Sequence, residues 1–269
     1  MVDDGYHGWE KDLALVCDAA RKAGDVAHAY FGRSPEVWWK NEGRSPVSAA
    51  DFAANDCLQT LLGAARPDYG WLSEETDDDS LRLTHETLFV VDPIDGTRAF
   101  IAGEVTWCVS VAVVHKGRPV AGVLVAPALG EEFSAAVGVP ALRNGKPIGV
   151  SHSDPSLPMT LALSEDLLRK MQPSDRDGVR RVGHIPSLAY RLAMTADGRL
   201  DGTIVKRNSH DWDLAAADII LERAGGRLVD TEGYSLTYNR KSVSHGILYA
   251  GSGNALDKLS RFVTDETAG

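Results

Sequence analysis

In WEKDLALVCDAARKAGDVAHAYFG the positions Leu13, Val16, Ala20, Ala23, Ala27 and Tyr30 recur at three- and four-residue spacing. This predicts an amphipathic helix that stops at Gly32. SAADFAANDCLQTLLGAARP repeats the pattern, with Ser48 placed to cap a second helix and Pro67 to close it. The period then changes. YGWLSEE and ETLFVVD read as short strands separated by the polar loop TDDDS, and TWCVSVAVVH and RPVAGVLVAP as a long hairpin turning at Lys116-Gly117. EEFSAAV and a turn at Asn144-Gly145 add further antiparallel strands. The first half is therefore expected to be two helices against a mostly antiparallel sheet.

After about Ser151 strands and helices alternate. MTLALS precedes a helix at EDLLRKM, VRRVGHI one at SLAYRLAMTADG, and DGTIVK one at WDLAAADIILERAGG that ends on Gly225-Gly226. RLVD, GILYAG and a last helix, NALDKLSRFV, follow. Such alternation implies a layered α/β half. The chain thus divides into an N-terminal α+β half, residues 1–150, and a C-terminal α/β half, residues 151–269, with SHSDPSLP at 151–158 as the expected boundary.

Composition narrows the function classes. The 269 residues suffice for a large core, and 43% hydrophobic with 25% charged residues is ordinary for a globular protein. With 28 Lys and Arg against 38 Asp and Glu the net charge is −10, which argues against nucleic acid or an anionic membrane as partner. An anionic substrate would then need bound cations to supply local positive charge. Cys17, Cys57 and Cys108 are widely spaced and odd in number, which reads as reduced thiols rather than a disulfide framework or zinc site. The acidic start, MVDDGYHGWEKD, lacks the apolar core of a signal peptide, and the apolar run at 121–129 is too short to span a bilayer. A soluble cytoplasmic protein is expected.

Acidic residues gather at four places: Asp51 in SPVSAAD, Glu74 and Glu75 in WLSEET, Asp92 and Asp95 in DPIDGT, and Asp213 in HDWDLAAAD. Each has a plain structural reading. Ser48-x-x-Asp51 resembles a capping box, Glu74 and Glu75 suit a solvated loop, and Asp213 suits the positive end of a helix dipole. DPIDGT is harder to dismiss, because its two carboxylates end an apolar strand. Oxygen donors without His or Cys point to Mg2+, Mn2+ or Ca2+ rather than zinc. A carboxylate shared between two such ions is the arrangement that clamps an in-line phosphoryl displacement. Gly96 and Thr97, opening a short helix, offer amides for phosphate oxygens, and the Thr97 hydroxyl can orient a water.

SEET, DPIDGT and WDLAAAD, in this order and spacing, resemble the inositol monophosphatase superfamily of metal-dependent, lithium-sensitive phosphomonoesterases. The resemblance implies a layered αβαβα sandwich. It also implies that Glu74, Asp92 and the Ile94 carbonyl hold a first metal, and Asp92, Asp95 and Asp213 a second. Glu74, Thr97 and Asp51 would be catalytic, with Thr97 and Asp51 positioning and deprotonating the attacking water. The Gly96 and Thr97 amides would hold the phosphate, and Glu75 would support the ligands from behind. The implied cofactor is Mg2+, two or three ions, with Mn2+ as a substitute and Ca2+ or Li+ as inhibitors. Homodimers are common in the superfamily, and some members also act as partners in transcription or ribosome biogenesis.

The substrate class is expected to be a small phosphorylated metabolite. SPVSAAD, WLSEE and TRAFI lean toward the 3′(2′),5′-bisphosphate nucleotidase branch, so 3′-phosphoadenosine 5′-phosphate is the first candidate. Inositol 1-phosphate and histidinol phosphate follow. Seven residues before Asp213, where inositol enzymes place a hydrogen-bond-accepting Glu, this chain has Lys206 followed by Arg207. A cation cannot accept those bonds but can pair with a second phosphate; a solvated strand end is the plain alternative. Ser187 and Tyr190 fall where the superfamily builds its substrate pocket. Trp38 and Trp39, beside Lys40, either flank the entrance or pack under the first helix. His210 reads as a loop residue lining the cleft.

Overall fold

The computed structural model of the chain describes residues 8–33, 35–40, 45–152 and 157–263. The acidic start at 1–7 and the middle of the expected boundary, 153–156, lie outside the described residues. In chain order the elements are α1 (Trp9–Tyr30), β1 (Val37–Lys40), β2 (Ser45–Ser48), α2 (Ala49–Ala65), β3 (Gly70–Ser73), β4 (Thr87–Asp95), α3 (Thr97–Ile101), β5 (Cys108–His115) and β6 (Arg118–Ala126). There follow β7 (Glu131–Ala136), β8 (Val139–Arg143), β9 (Lys146–Pro147), β10 (Met159–Ala162), α4 (Glu165–Lys170), α5 (Pro173–Asp177), β11 (Val179–Val182), α6 (Leu188–Ala196) and β12 (Gly202–Val205). The last are β13 (Ser209–His210), α7 (Asp211–Arg223), β14 (Arg227–Asp230), β15 (Ser244–His245), β16 (Leu248–Gly251) and α8 (Gly253–Val263).

Strands β3 to β9 form a seven-stranded sheet in sequence order, parallel only between β3 and β4. Its strands alternate faces, as a pleated sheet buried on both sides must. Phe89, Val91, Val109, Val111 and Val113 pack with Val16, Ala20, Leu58 and Leu62 of α1 and α2, whereas Val90, Ala112 and Leu124 pack with α6 and α7 through Leu192, Leu214 and Ile219. The second sheet runs β11-β10-β12-β16-β14 and covers the other side of α6 and α7 through Leu228, Leu248 and Ala250. Its outer face, with Leu161, Ile204 and Tyr249, packs on α4 and α8 through Leu167, Leu256 and Leu259. The result is the αβαβα sandwich, with α6 and α7 as its central layer.

The two hairpin turns read from Lys116-Gly117 and Asn144-Gly145 form with positive φ at all four residues, 49° and 78°, then 49° and 74°. One close approach fixes the middle layer: a Cβ on Gly122 of β6 would stand 2.6 Å from Ile219 Cγ2 and 2.9 Å from the Ala216 Cα of α7.

Two expectations change. Tyr30 is exposed, and α1 instead buries Asp12, which accepts from Arg66 Nε at 2.8 Å, a partner 54 residues away that local periodicity cannot show. Trp38 and Trp39 do not pack under α1. They sit exposed on the β1–β2 hairpin, Trp38 edge-on to Phe52 and Trp39 under the Arg98 guanidinium at 5.8 Å. The second sheet is mixed: β10 is parallel to β11 and β12, and β16 antiparallel to β12 and β14.

Candidate active site

Strand β4 stays apolar through Val91 and then delivers Asp92 and Asp95, 2% and 6% exposed, at an irregular register against β5. Proline at 93 breaks the ladder, and the Ile94 amide turns back to Asp92 Oδ1 at 3.0 Å. Gly96 then takes φ +98°, where a Cβ would crowd the Thr106 carbonyl at 3.2 Å, and the chain enters α3 with Thr97 foremost. The Thr97 hydroxyl lies 3.0 Å from both Asp51 Oδ1 and the Ile94 carbonyl oxygen.

Asp51 and Asp213 are matched features. Each is the third residue of its helix and takes the backbone amide before it: Ser48 N donates to Asp51 Oδ2 at 2.8 Å, and His210 N to Asp213 Oδ2 at 2.7 Å. The Ser48 hydroxyl adds a 2.6 Å bond to Asp51. The capping box read from the sequence at Ser48 and Asp51 forms. Asp213, read as an acid at a helix's positive end, also caps its helix, and each carboxylate is aimed at β4.

Glu74 leaves β3 with its amide bonded to the Val91 carbonyl at 3.2 Å, which fixes it beside Asp92. Glu75 is not the solvated loop acid its sequence allows. Its side chain is 2% exposed and paired with Lys40 Nζ at 2.8 Å, and Lys40 also reaches Glu74 at 3.3 Å. Lys40 thus joins the β1–β2 hairpin to the acidic site. His210 stacks on Trp212 at 4.7 Å and opens α7, rather than lying in a loop.

Glu74, Asp92 and Asp213 each offer an oxygen within 4.8 Å of the others. Burial, then repulsion from Asp213 and Glu75, pushes the Glu74 carboxyl up to about 7 against the pull of Lys40. Burial and then Glu74, Asp95 and Asp213 drive Asp92 well above the carboxylate range. Asp95 is pushed up to about 7 by burial and Asp213, although Ser187 and the Ala189 amide donate to it. Burial also raises Asp51, against its bonds from Ser48 and Thr97. Three acids facing one another without an equal positive charge fit a hard divalent cation. Oxygen ligands at about 2.1 Å from an ion are necessarily within about 4 Å of one another.

Asp95 stands apart from that trio. Its Oδ2 is taken by the Ser187 hydroxyl and by Ala189 N at 2.6 Å, the first turn of α6. Ser187, expected as a substrate contact, is fully buried and holds Asp95 instead. Tyr190 is buried with its hydroxyl donating to Glu131 at 2.9 Å, and it is not among the residues that line the cleft described next. Lys206 and Arg207 are exposed and line a cleft of about 780 Å³ that also carries Asp213 and His184. Sequence reasoning missed Arg191 in this cleft; a lone charge inside the apolar helix YRLAM was its signal.

The inositol monophosphatase family model matches residues 9–260. A histidinol-phosphatase from Chlorobaculum parvum is 32% identical over 92% of this chain and 94% of its own length. A 3′(2′),5′-bisphosphate nucleotidase CysQ from Salmonella typhimurium is 29% identical over 84% of this chain and 93% of its own. An IMPase structure from Thermotoga maritima superposes with TM-score 0.84 at 27% identity, covering 96% of this chain and 100% of that one.

Proposed function

The chain belongs to the inositol monophosphatase family of phosphatases, and from that membership we propose that it hydrolyses a small phosphate monoester in a Mg2+-dependent reaction. The observation that carries this reading is the Glu74, Asp92 and Asp213 trio, whose oxygens converge within 4.8 Å. Glu74, Asp92 and the Ile94 carbonyl would hold one Mg2+, and Asp92, Asp95 and Asp213 would hold a second, with Glu75 and Lys40 holding Glu74 in place. When bound, the ions supply positive charge for the phosphate oxygens and acidify water.

The remaining residues handle the phosphate and the proton. The first amides of a helix have no acceptor within it, so Gly96 and Thr97 are free to donate to phosphate oxygens. The attacking water gives its proton to Thr97 Oγ1 as the Thr97 proton passes to Asp51 Oδ1, 3.0 Å away. Burial raises the proton affinity of Asp51, which suits it to this task. Water attacks phosphorus in line, and the ester oxygen departs on the far side, taking a proton from solvent to become the product hydroxyl, without a phospho-enzyme.

3′-Phosphoadenosine 5′-phosphate is the substrate we favour, because Lys206 and Arg207 stand at the cleft where a polyol would want an acceptor. The same cations disfavour histidinol phosphate, whose organic part carries an amine. A cytoplasmic homodimer is the assembly we expect, and no described helix is long and apolar enough to cross a membrane.

The decisive experiment replaces Asp213 with Asn and follows phosphate release with and without Mg2+. Loss of turnover of about 10²-fold or more, with melting nearly unchanged, is the expected result. Near-normal turnover would remove Asp213 from the site. The same assay on the wild type, comparing the nucleotide with inositol 1-phosphate and histidinol phosphate, ranks the substrates.

A further inference from the structure

Three buried side-chain polar atoms among the described residues make no hydrogen bond: Trp107 Nε1, Arg191 Nε and Ser209 Oγ. Two of them, Arg191 Nε and Ser209 Oγ, line the same cleft beside Asp213. Both are donors. A buried donor without an acceptor is costly, and native proteins rarely leave one unless something else completes it. Two on one cavity wall point to a missing acceptor in the cavity.

Arg191 lies one turn after Ser187 on α6, the helix whose start holds Asp95. Burial lowers the proton affinity of the Arg191 guanidinium, and the Asp95 charge offsets part of that through space. Among the described residues no carboxylate touches it, since the free side of Asp95 Oδ2 is occupied by Ser187 and Ala189. Lys206 and Arg207 add positive charge to the cleft, set against Glu165 and Asp166 on its rim, and Glu165 is already paired with Arg169. Leu163, Ile185, Leu188, Val205 and Ile247 make apolar wall between these groups. A flat or apolar organic part that ends in an anion fits such a lining, because an anion gives the guanidinium a charge-assisted, two-pronged partner where a polyol hydroxyl gives only a neutral acceptor.

We propose that Arg191, assisted by Ser209, binds a second anionic group on the organic part of the substrate and thereby selects doubly anionic phosphate esters. This rests on the phosphatase reading above. The group is a carboxylate or phosphate that stays attached while the other phosphate is hydrolysed. The planar guanidinium provides the fork such a group takes up.

The test uses matched pairs that differ by one anion and keep the phosphate that is hydrolysed: adenosine 3′,5′-bisphosphate against adenosine 3′-monophosphate, and fructose 1,6-bisphosphate against whichever of fructose 1-phosphate and fructose 6-phosphate retains it. The wild type should favour the doubly charged member of at least one pair in kcat/KM by about tenfold or more. Arg191→Met keeps the length and removes the charge. It should cost that member about 10- to 100-fold, chiefly in KM, and the singly charged member less than about threefold. Arg191→Lys should restore part of the loss, and Ser209→Ala should shift the same ratio by a few-fold. Equal losses on both members would mean that Arg191 serves only as the counter-charge of Asp95, and would overturn the proposal. A wild type with no preference in either pair, yet active on inositol 1-phosphate, would overturn it while leaving the phosphatase reading intact. If no ester is hydrolysed, the phosphatase reading falls, and calorimetry with adenosine 3′,5′-bisphosphate decides alone. Weaker binding to Arg191→Met than to wild type supports the anion site, and equal binding overturns it.

Discussion

Helix α7 carries Asp211, Asp213 and Asp218, and their surroundings answer them differently. Asp211 Oδ1 lies 2.7 Å from His245 Nε2, and its Oδ2 accepts from Asn239 N at 2.8 Å. Asp218 accepts from the Tyr238 hydroxyl at 2.9 Å, with Arg118 at 3.7 Å. Asp213 has its cap from His210 N and otherwise turns toward Glu74 and Asp92. Within one helix, two acids are answered by donors of the protein and the third joins a cluster short of positive charge. Structural acids bring their partners with them, and a cluster left repelling itself marks a place where a ligand finishes the balance.

The sharpest way to break this comparison is to mutate one acid of each kind. Asp92→Asn should lower Mg2+-dependent phosphate release by about 10³-fold and raise the melting temperature of metal-free protein, because it removes a repelled buried charge. Asp211→Asn should do the reverse, lowering the melting temperature while the folded enzyme keeps turnover within about tenfold. Exchange of these phenotypes would show the two clusters have been assigned the wrong way round.

Mg2+ comes next. At about 100 times its dissociation constant it should stabilise the wild type by about 2.7 kcal/mol, a shift of several degrees in thermal unfolding. Asp92→Asn should show almost none of it, and Asp211→Asn nearly all.

A smaller effect follows from pH. Glu74 and Asp95 each titrate near about 7 in the folded chain, above the ordinary carboxylate range. Between the unfolded value and about 7, the metal-free folded state therefore holds protons the unfolded chain has released. Their contribution to stability is complete below the unfolded value and lost as pH rises through about 7. EDTA-treated wild type should lose more melting temperature from pH 5.5 to pH 8 than Asp92→Asn does, as calorimetry at both pH values would record. The smallest expected change is Tyr238→Phe, which removes one donor from Asp218. It should cost about 1–2 kcal/mol in denaturant unfolding and leave phosphate release unchanged.

Much of this was legible in the chain. Apolar periodicity located both long helices and the central strands, and DPIDGT after FVV marked the strand end where the acids converge. The capping reading of Asp51 and the helix-start reading of Asp213 were correct as geometry and silent on what the second oxygen faces. Long-range contacts stayed hidden. Lys40 reaches Glu75 across 35 residues, and Ser187 reaches Asp95 across 92, so neither can be inferred from neighbours in sequence. Arg191 was hidden for another reason: its meaning lies in the absence of an acceptor, which only an assembled cleft reveals.

Gly122 has a consequence beyond packing. With hydrogen in place of a side chain, β6 lets the α7 backbone settle onto the sheet until Ala216 and Ile219 touch it. The glycine works as a depth gauge. Asp213 rides on the same helix, and Asp92 belongs to the same sheet, so the gap between those carboxylates is set by a residue that touches neither. A single methyl group at position 122 would lift the helix and widen the gap. The reach of the acidic trio is thus calibrated from the middle of α7.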